Sequence, residues 1–267
     1  MGFQATYLAR IFLGAKVVFN LRDIDVKKPV KKRWVDYVKH SYRTVLLSFE
    51  MMNHLAANAA DSSKMKVIYS IVDFNVFRKY PIEPKDTQTG KYNVLYVASF
   101  NDKKNQKQFI DQCLAKLSEH NMHVHFIGDD ENEYAQDCKK QIAALGLENA
   151  TFHGFVEDMS YWYNFAELTL VPTRNEGLAR CMIESISCGT PVVSFDVCSA
   201  VEILSKYNCG KVVEQGDYVS FVNEMVALAE DAASLEALGG NGIKCSRELF
   251  DVRRISREYI RLYNSES

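Results

Sequence analysis

The amino-acid sequence predicts an α/β fold of two doubly wound domains built on parallel sheets, the first of them incomplete. Three observations point there. Short apolar runs alternate with amphipathic stretches along almost the whole chain, the pattern of βαβ units. The alternation breaks once, in a polar stretch around residues 72–91 that is rich in turn formers such as Pro81, Pro84 and Gly90. Beyond the break it continues through about six strands, a complete doubly wound domain, whereas only three strands are legible before it.

Taken in order, Phe3, Tyr7, Ile11 and Phe12 recur at helical spacing and predict a helix facing a core. Residues 17–21 read as a strand, 33–42 as a helix, 44–48 as a strand, 50–60 as a helix and 66–69 as a strand. After the linker, strands are predicted at 93–98, 123–128, 151–153, 168–171, 191–195 and 210–213. Helices are predicted at 106–117, 133–145, 159–165, 179–187, 200–205 and 218–230, with one or two more before a last amphipathic helix at 252–263. Gly239-Gly240-Asn241-Gly242 follows no strand and reads as a loop between helices. The expected organisation is therefore a partial N-terminal domain over 1–88, a second domain over 89–249, and a closing segment, 250–267, packing back toward the N-terminal part.

Composition narrows the function. Apolar residues make up 47% of the chain and charged residues 25%, enough for sizeable cores in an ordinary globular protein. A net charge of −2 argues against nucleic acid as a partner. Seven cysteines, an odd number with no CxxC pair, lie partly inside apolar runs and read as reduced, packed thiols of a cytoplasmic chain. No apolar run reaches the ~18–20 residues of a membrane helix. The basic run from Lys27 to Arg33 reads either as a solvated loop and helix start or as a contact with anionic lipid, peripheral at the inner face of the membrane. His123 and His125 share one face of a strand and read as a buried strand edge; no metal site is expected.

The chemistry concentrates between Leu170 and Val193. An apolar strand ends in a polar loop carrying Glu176, and a helix begins just after Gly177. In an open parallel sheet ligands sit beyond the carboxyl ends of the strands. A helix N-terminus there offers unpaired N–H groups and partial positive charge to a phosphate. Gly177 lets the backbone come close, Glu176 can accept hydrogen bonds from sugar hydroxyls, and Glu184, two turns on, can take the two hydroxyls of a ribose. On spacing alone, an ordinary strand–loop–helix with two unrelated glutamates accounts for the pattern equally well.

Glu176 and Glu184, seven residues intervening, followed by Cys188-Gly189-Thr190-Pro191-Val192-Val193, resemble the signature of glycosyltransferase family 4, retaining nucleotide-sugar transferases with the GT-B fold of two Rossmann-like domains. Residues 152–156, with Val156, resemble the strand-turn that faces the nucleotide base. Residues 97–105 resemble the first strand and loop of the donor domain, and 68–77, with Asp73, the domain-joining segment. The likeness runs over nearly the whole chain.

The resemblance implies a hexosyltransferase acting in surface polysaccharide or glycolipid synthesis, with a nucleoside-diphosphate sugar as donor, a glycan or lipid-linked acceptor, and no cofactor. Glu176 would contact the donor sugar and Glu184 the ribose. Backbone groups of Gly177, Leu178 and Ala179 would face the diphosphate or sugar. Lys104 matches the lysine that the family offers to the diphosphate, while Ser99 stands where relatives carry an arginine. That leaves Arg180 or Lys103 to supply the second cation. Arg22 and Asp23 stand where many relatives carry a histidine; Arg22 either contacts a phosphate or pairs within its loop. The Gly-rich opening strand of the family has no counterpart here, so the chain is expected to be a shortened frame, one piece of a split enzyme whose partner chain supplies the missing strands, or a non-catalytic donor-domain subunit.

Overall fold

A computed structural model describes residues 15–58, 60–82, 90–197 and 199–264. The helix expected around Phe3 to Phe12 lies outside the described residues, as do 83–89 of the polar stretch.

The chain forms two parallel sheets. The first holds β1 (Val18–Leu21), β2 (Arg43–Leu46) and β3 (Met65–Val67) in that order, joined by α1 (Lys32–His40) and α2 (Phe49–Ala57). Ser48 starts α2 by accepting the Met51 N–H at 3.1 Å.

The second sheet has the order β6-β5-β4-β7-β8-β9, all parallel. Its strands are β4 (Tyr92–Val97), β5 (Met122–Ile127), β6 (Ala150–Phe152), β7 (Leu168–Val171), β8 (Val192–Phe195) and β9 (Gly210–Val213). The helices between them are α3 (Gln106–Phe109, a π turn at Ile110–Leu114, then Ala115–Glu119), α4 (Glu133–Ala144), α5 (Met159–Phe165) and α6 (Arg180–Ser187). A π turn at Val201–Ser205 precedes β9, and α7 (Tyr218–Glu230), α8 (Ala232–Leu249) and α9 (Val252–Asn264) follow it. From β4 the chain winds outward to β5 and β6 on one side, then returns to β7, β8 and β9 on the other. The winding direction reverses between β4 and β7, the kind of switch point at which open parallel sheets hold ligands beyond the carboxyl ends of their strands.

Two sequence expectations are corrected. Residues 239–242 are not a loop but lie inside α8. Two of its three glycines are there for contact: a Cβ on Gly239 would stand 2.3 Å from the Gly189 carbonyl, and one on Gly242 3.0 Å from Ile186. Close packing of α8 on α6 outweighs the poor helix propensity of glycine. His123 and His125 are buried, but β5 is an interior strand and not an edge; their rings bond Thr151 Oγ1 at 2.8 Å and Asn93 Oδ1 at 3.0 Å.

The six described cysteines are all free thiols, five of them buried. Burial pushes Cys113 and Cys188 up to about 12. No helix among the described residues is long and apolar enough to cross a membrane.

Candidate functional site

The loops after β4 and β7 meet at the reversal point and are stitched together. Asn105 adopts a left-handed conformation, φ 73°, which asparagine tolerates better than most residues. From there its amide donates to the Pro172 carbonyl at 2.9 Å and the Tyr218 hydroxyl at 2.8 Å, while its oxygen accepts from Arg174 Nε at 3.1 Å. The Lys103 carbonyl accepts from the Arg174 N–H and the Thr173 hydroxyl, both at 3.0 Å.

This scaffold brings Lys104 and Glu176 together, Nζ to Oε2, at 2.6 Å. Their side chains are 22% and 17% exposed, so the pair is partly withdrawn from water and less screened than a surface pair. No side chain caps the N-terminus of α6, which begins at Arg180, one residue later than the predicted start. One turn along, Glu184 is only 9% exposed. Its Oε1 accepts from Arg180 Nε at 3.1 Å and Nη2 at 2.8 Å, and its Oε2 from the Tyr163 hydroxyl at 3.3 Å. Burial holds the Tyr163 hydroxyl well above its ordinary pKa, so it stays a donor. Cys181 lies in reach of both clusters, yet burial pushes its thiol up to about 12, which leaves no thiolate nucleophile at neutral pH.

The other expected residues have varied surroundings. Gly177 packs against the loop that follows β1: a Cβ there would stand 2.2 Å from the Arg22 carbonyl. Leu178 and Ala179 are buried in the core shared by both sheets. Val156 packs on a small cluster containing Ile127 and Tyr163. The Ser99 hydroxyl accepts from the Asn101 amide at 3.0 Å. Neither candidate for a second cation is uncommitted: Lys103 pairs with Asp23 at 2.6 Å and Arg180 with Glu184.

Sequence reasoning missed Asp23 as a bridge. It takes Lys103 and, at 3.2 Å, the Asn175 amide, tying the first sheet to both loops of the second. It also missed Tyr163 and Asn105. The partners stand 80 and 152 residues from Asp23, and nothing in local spacing signals such pairings.

Residues 91–231 match the family described as Glycosyl transferases group 1. The capsular polysaccharide biosynthesis glycosyltransferase CapM of Staphylococcus aureus is 26% identical over 146 residues, 55% of this chain. The lipopolysaccharide core biosynthesis mannosyltransferase LpcC of Rhizobium leguminosarum bv. viciae is 29% identical over 133 residues, 49% of this chain. In both, the match spans 38% of the relative's own length. Among solved structures, Anabaena HepE in complex with UDP superposes with a TM-score of 0.86 at 20% identity, covering 97% of this chain and 75% of that one. The two-sheet architecture is that of GT-B glycosyltransferases.

Proposed function

The chain belongs to the group 1 glycosyl transferases, and on that premise we propose that it is a family 4 enzyme, a retaining hexosyltransferase. In this reading it moves a sugar from a nucleoside-diphosphate donor to a glycan or lipid-linked acceptor in surface polysaccharide or glycolipid synthesis. It works in the cytoplasm, peripheral at the inner face of the membrane. The observation that carries the reading is the meeting of Lys104 and Glu176 at 2.6 Å, at the sheet's reversal point and beside the uncapped start of α6.

Glu184 binds the ribose, its carboxylate already oriented by Arg180 and Tyr163. Val156 and its turn face the base. The backbone of Gly177, Leu178 and Ala179 faces the diphosphate or sugar. Lys104 exchanges its contact with Glu176 for a phosphate oxygen, which frees Glu176 for the sugar hydroxyls. The bond from the sugar's anomeric carbon to the diphosphate breaks, and the acceptor oxygen bonds that carbon from the same face. The acceptor proton passes to the leaving phosphate. Helix dipole and Lys104 stabilise the negative charge that develops there.

Titration calorimetry with UDP and GDP tests the donor assignment. Glu184→Ala should weaken the better ligand by about 10- to 100-fold, the loss of a charged hydrogen-bonding group worth about 1.5–3 kcal/mol. Unchanged affinity would remove Glu184 from the donor site.

A second reading has its own support. Ser99 offers no charge where relatives carry an arginine, and Lys103 and Arg180 are both paired elsewhere. A non-catalytic subunit that binds nucleotide fits that deficit. Slow donor hydrolysis by the purified chain would favour the enzyme. Nucleotide binding without hydrolysis or transfer would favour the subunit.

A further inference from the structure

Two lysines adjacent in sequence part company where the loops after β1, β4 and β7 meet. Lys104 turns its ammonium to Glu176. Lys103 sends its own across the seam to Asp23, in the loop after β1, at 2.6 Å. The second Asp23 oxygen accepts from the amide of Asn175, the residue before Glu176, at 3.2 Å. Glu176 also acts on Lys103. Burial pulls the Lys103 pKa down, but the hydrogen bond to Asp23 and the charges of Glu176, Asp23 and Asp25 hold it above its ordinary value, so the side chain is charged at neutral pH. Both ammonium groups therefore lie within electrostatic reach of one carboxylate.

A nucleoside-diphosphate sugar carries a negative charge on each of its two phosphates, and Lys104 answers one. Arg180, Arg174 and Lys103 are the cations near enough in the fold to answer the other, and what each leaves behind decides between them. Arg180 makes two hydrogen bonds to Glu184, which is buried. Its departure would strand a buried carboxylate, which is strongly unfavourable. Arg174 bonds Asn105 through Nε and Asp102 through Nη1. Asn105 stitches the loops after β4 and β7 together, so the release of Arg174 would loosen the frame of the site itself. The side chains of Lys103 and Asp23 are 40% and 46% exposed, so water and salt screen their attraction and the pair contributes little to stability. Asp23 left without Lys103 stays hydrated and keeps the Asn175 amide. Lys103 is the easiest of the three to release.

We infer that Asp23 is a built-in competitor of the diphosphate: a bound diphosphate draws the Lys103 ammonium off Asp23 and onto a phosphate oxygen, and the Asp23 contact sets how tightly the diphosphate is held. The exchange breaks one ion pair and makes another. It also unties the loop after β1 from the loop after β4, so occupation of the site and the docking of the two sheets are linked. For the nucleoside and sugar this rests on the donor-site reading; for the two phosphates alone it does not.

Titration calorimetry on the full chain, with UDP, GDP and pyrophosphate in buffer free of divalent cations, tests the exchange through a double-mutant cycle. Asp23→Asn should tighten UDP and pyrophosphate about 3- to 10-fold, because Lys103 no longer has to be released. Lys103→Ala should weaken both about 10-fold. In the Lys103→Ala background, Asp23→Asn should change little, since nothing is left to release. Both positions are half-exposed, and matching urea midpoints among the variants would show that the fold is intact. Equal tightening by Asp23→Asn with and without Lys103 would be plain relief of repulsion and overturns the inference. Weaker binding in Asp23→Asn overturns it too, because Asp23 would then be a ligand of the diphosphate and not its competitor. If pyrophosphate follows the cycle but neither UDP nor GDP binds more tightly than pyrophosphate, the donor reading falls and the exchange stands. If a nucleotide binds more tightly and Lys103→Ala is indifferent, the exchange falls and the donor reading stands. No binding of any of the three sinks both.

Discussion

The six-stranded sheet closes a core of its own, in which Phe109 meets Phe126 and Phe221 edge to face and packs with Val94, Leu170 and Phe195 between β-strands and their flanking helices. The three-stranded sheet has no such independence. Leu46, Met51 and Leu55 on one face pack in a single cluster with Met182, Ile183 and Ile186 of α6 and with Phe250 beyond α8. Its other face is held by α9. One region is a domain with its own centre. The other borrows its interior from the helix that starts at the candidate site. The seam between them is therefore packed core and not only a wet cleft, and a change at the start of α6 is felt by the first sheet.

The largest expected effect probes the self-contained core. Phe109→Ala should cost about 3–5 kcal/mol, with exchange protection lost throughout β4 to β9. If the loss is instead confined to β1–β3, the two cores have been assigned to the wrong sheets.

Gly177→Ala sharpens the contrast at the seam. The added methyl meets the Arg22 carbonyl, backbone against backbone, and cannot be relieved by a side-chain rotation. A cost of about 1–3 kcal/mol is expected, with faster amide exchange in β1 to β3 while β4 to β9 keep their protection. Equal loss in both sheets would mean that they unfold as one unit.

The smallest effect concerns Glu202, which reaches across the seam. It accepts the Phe49 N–H at 2.9 Å and the Tyr69 hydroxyl at 3.0 Å. Burial pushes its carboxyl above the usual range, with these hydrogen bonds pulling partly back. The folded chain therefore holds a proton there at pH values where the unfolded chain has lost it. The resulting stability is fully present below the ordinary carboxylate pKa and is lost as pH rises through the raised one. Glu50 is raised in the same direction, by burial first and then by the neighbouring Asp196, so only the difference from Glu202→Gln isolates the site. Urea unfolding between pH 4 and 7, on the order of the carboxylate titration range, should show the unmodified chain losing under about 1 kcal/mol relative to Glu202→Gln as pH rises. A gain over that window would reverse the assignment.

Much of the fold was legible because period and punctuation are local properties. β7 was read at its observed bounds, and alternation of apolar runs with amphipathic stretches located every described strand within a few residues. Glu176 and Glu184 stood out because a strand end, a glycine and a helix start occur together in one short stretch. The run 239–242 misled for an equally physical reason: glycine lowers helix propensity locally, but the contact with Gly189 that selects it lies 50 residues away.

From its sequence alone this chain was committed to parallel βαβ winding, a reversal of strand order in the larger sheet and acidic residues at a strand-to-helix junction, since each follows from side-chain periodicity and turn chemistry within a few dozen residues. Tertiary structure decided which charges meet. Lys104 finds Glu176 rather than water, Lys103 is claimed by Asp23, and Arg22 turns its carbonyl to Gly177. Such pairings depend on how two sheets dock, and docking is set by the summed burial of a shared core that no single segment encodes.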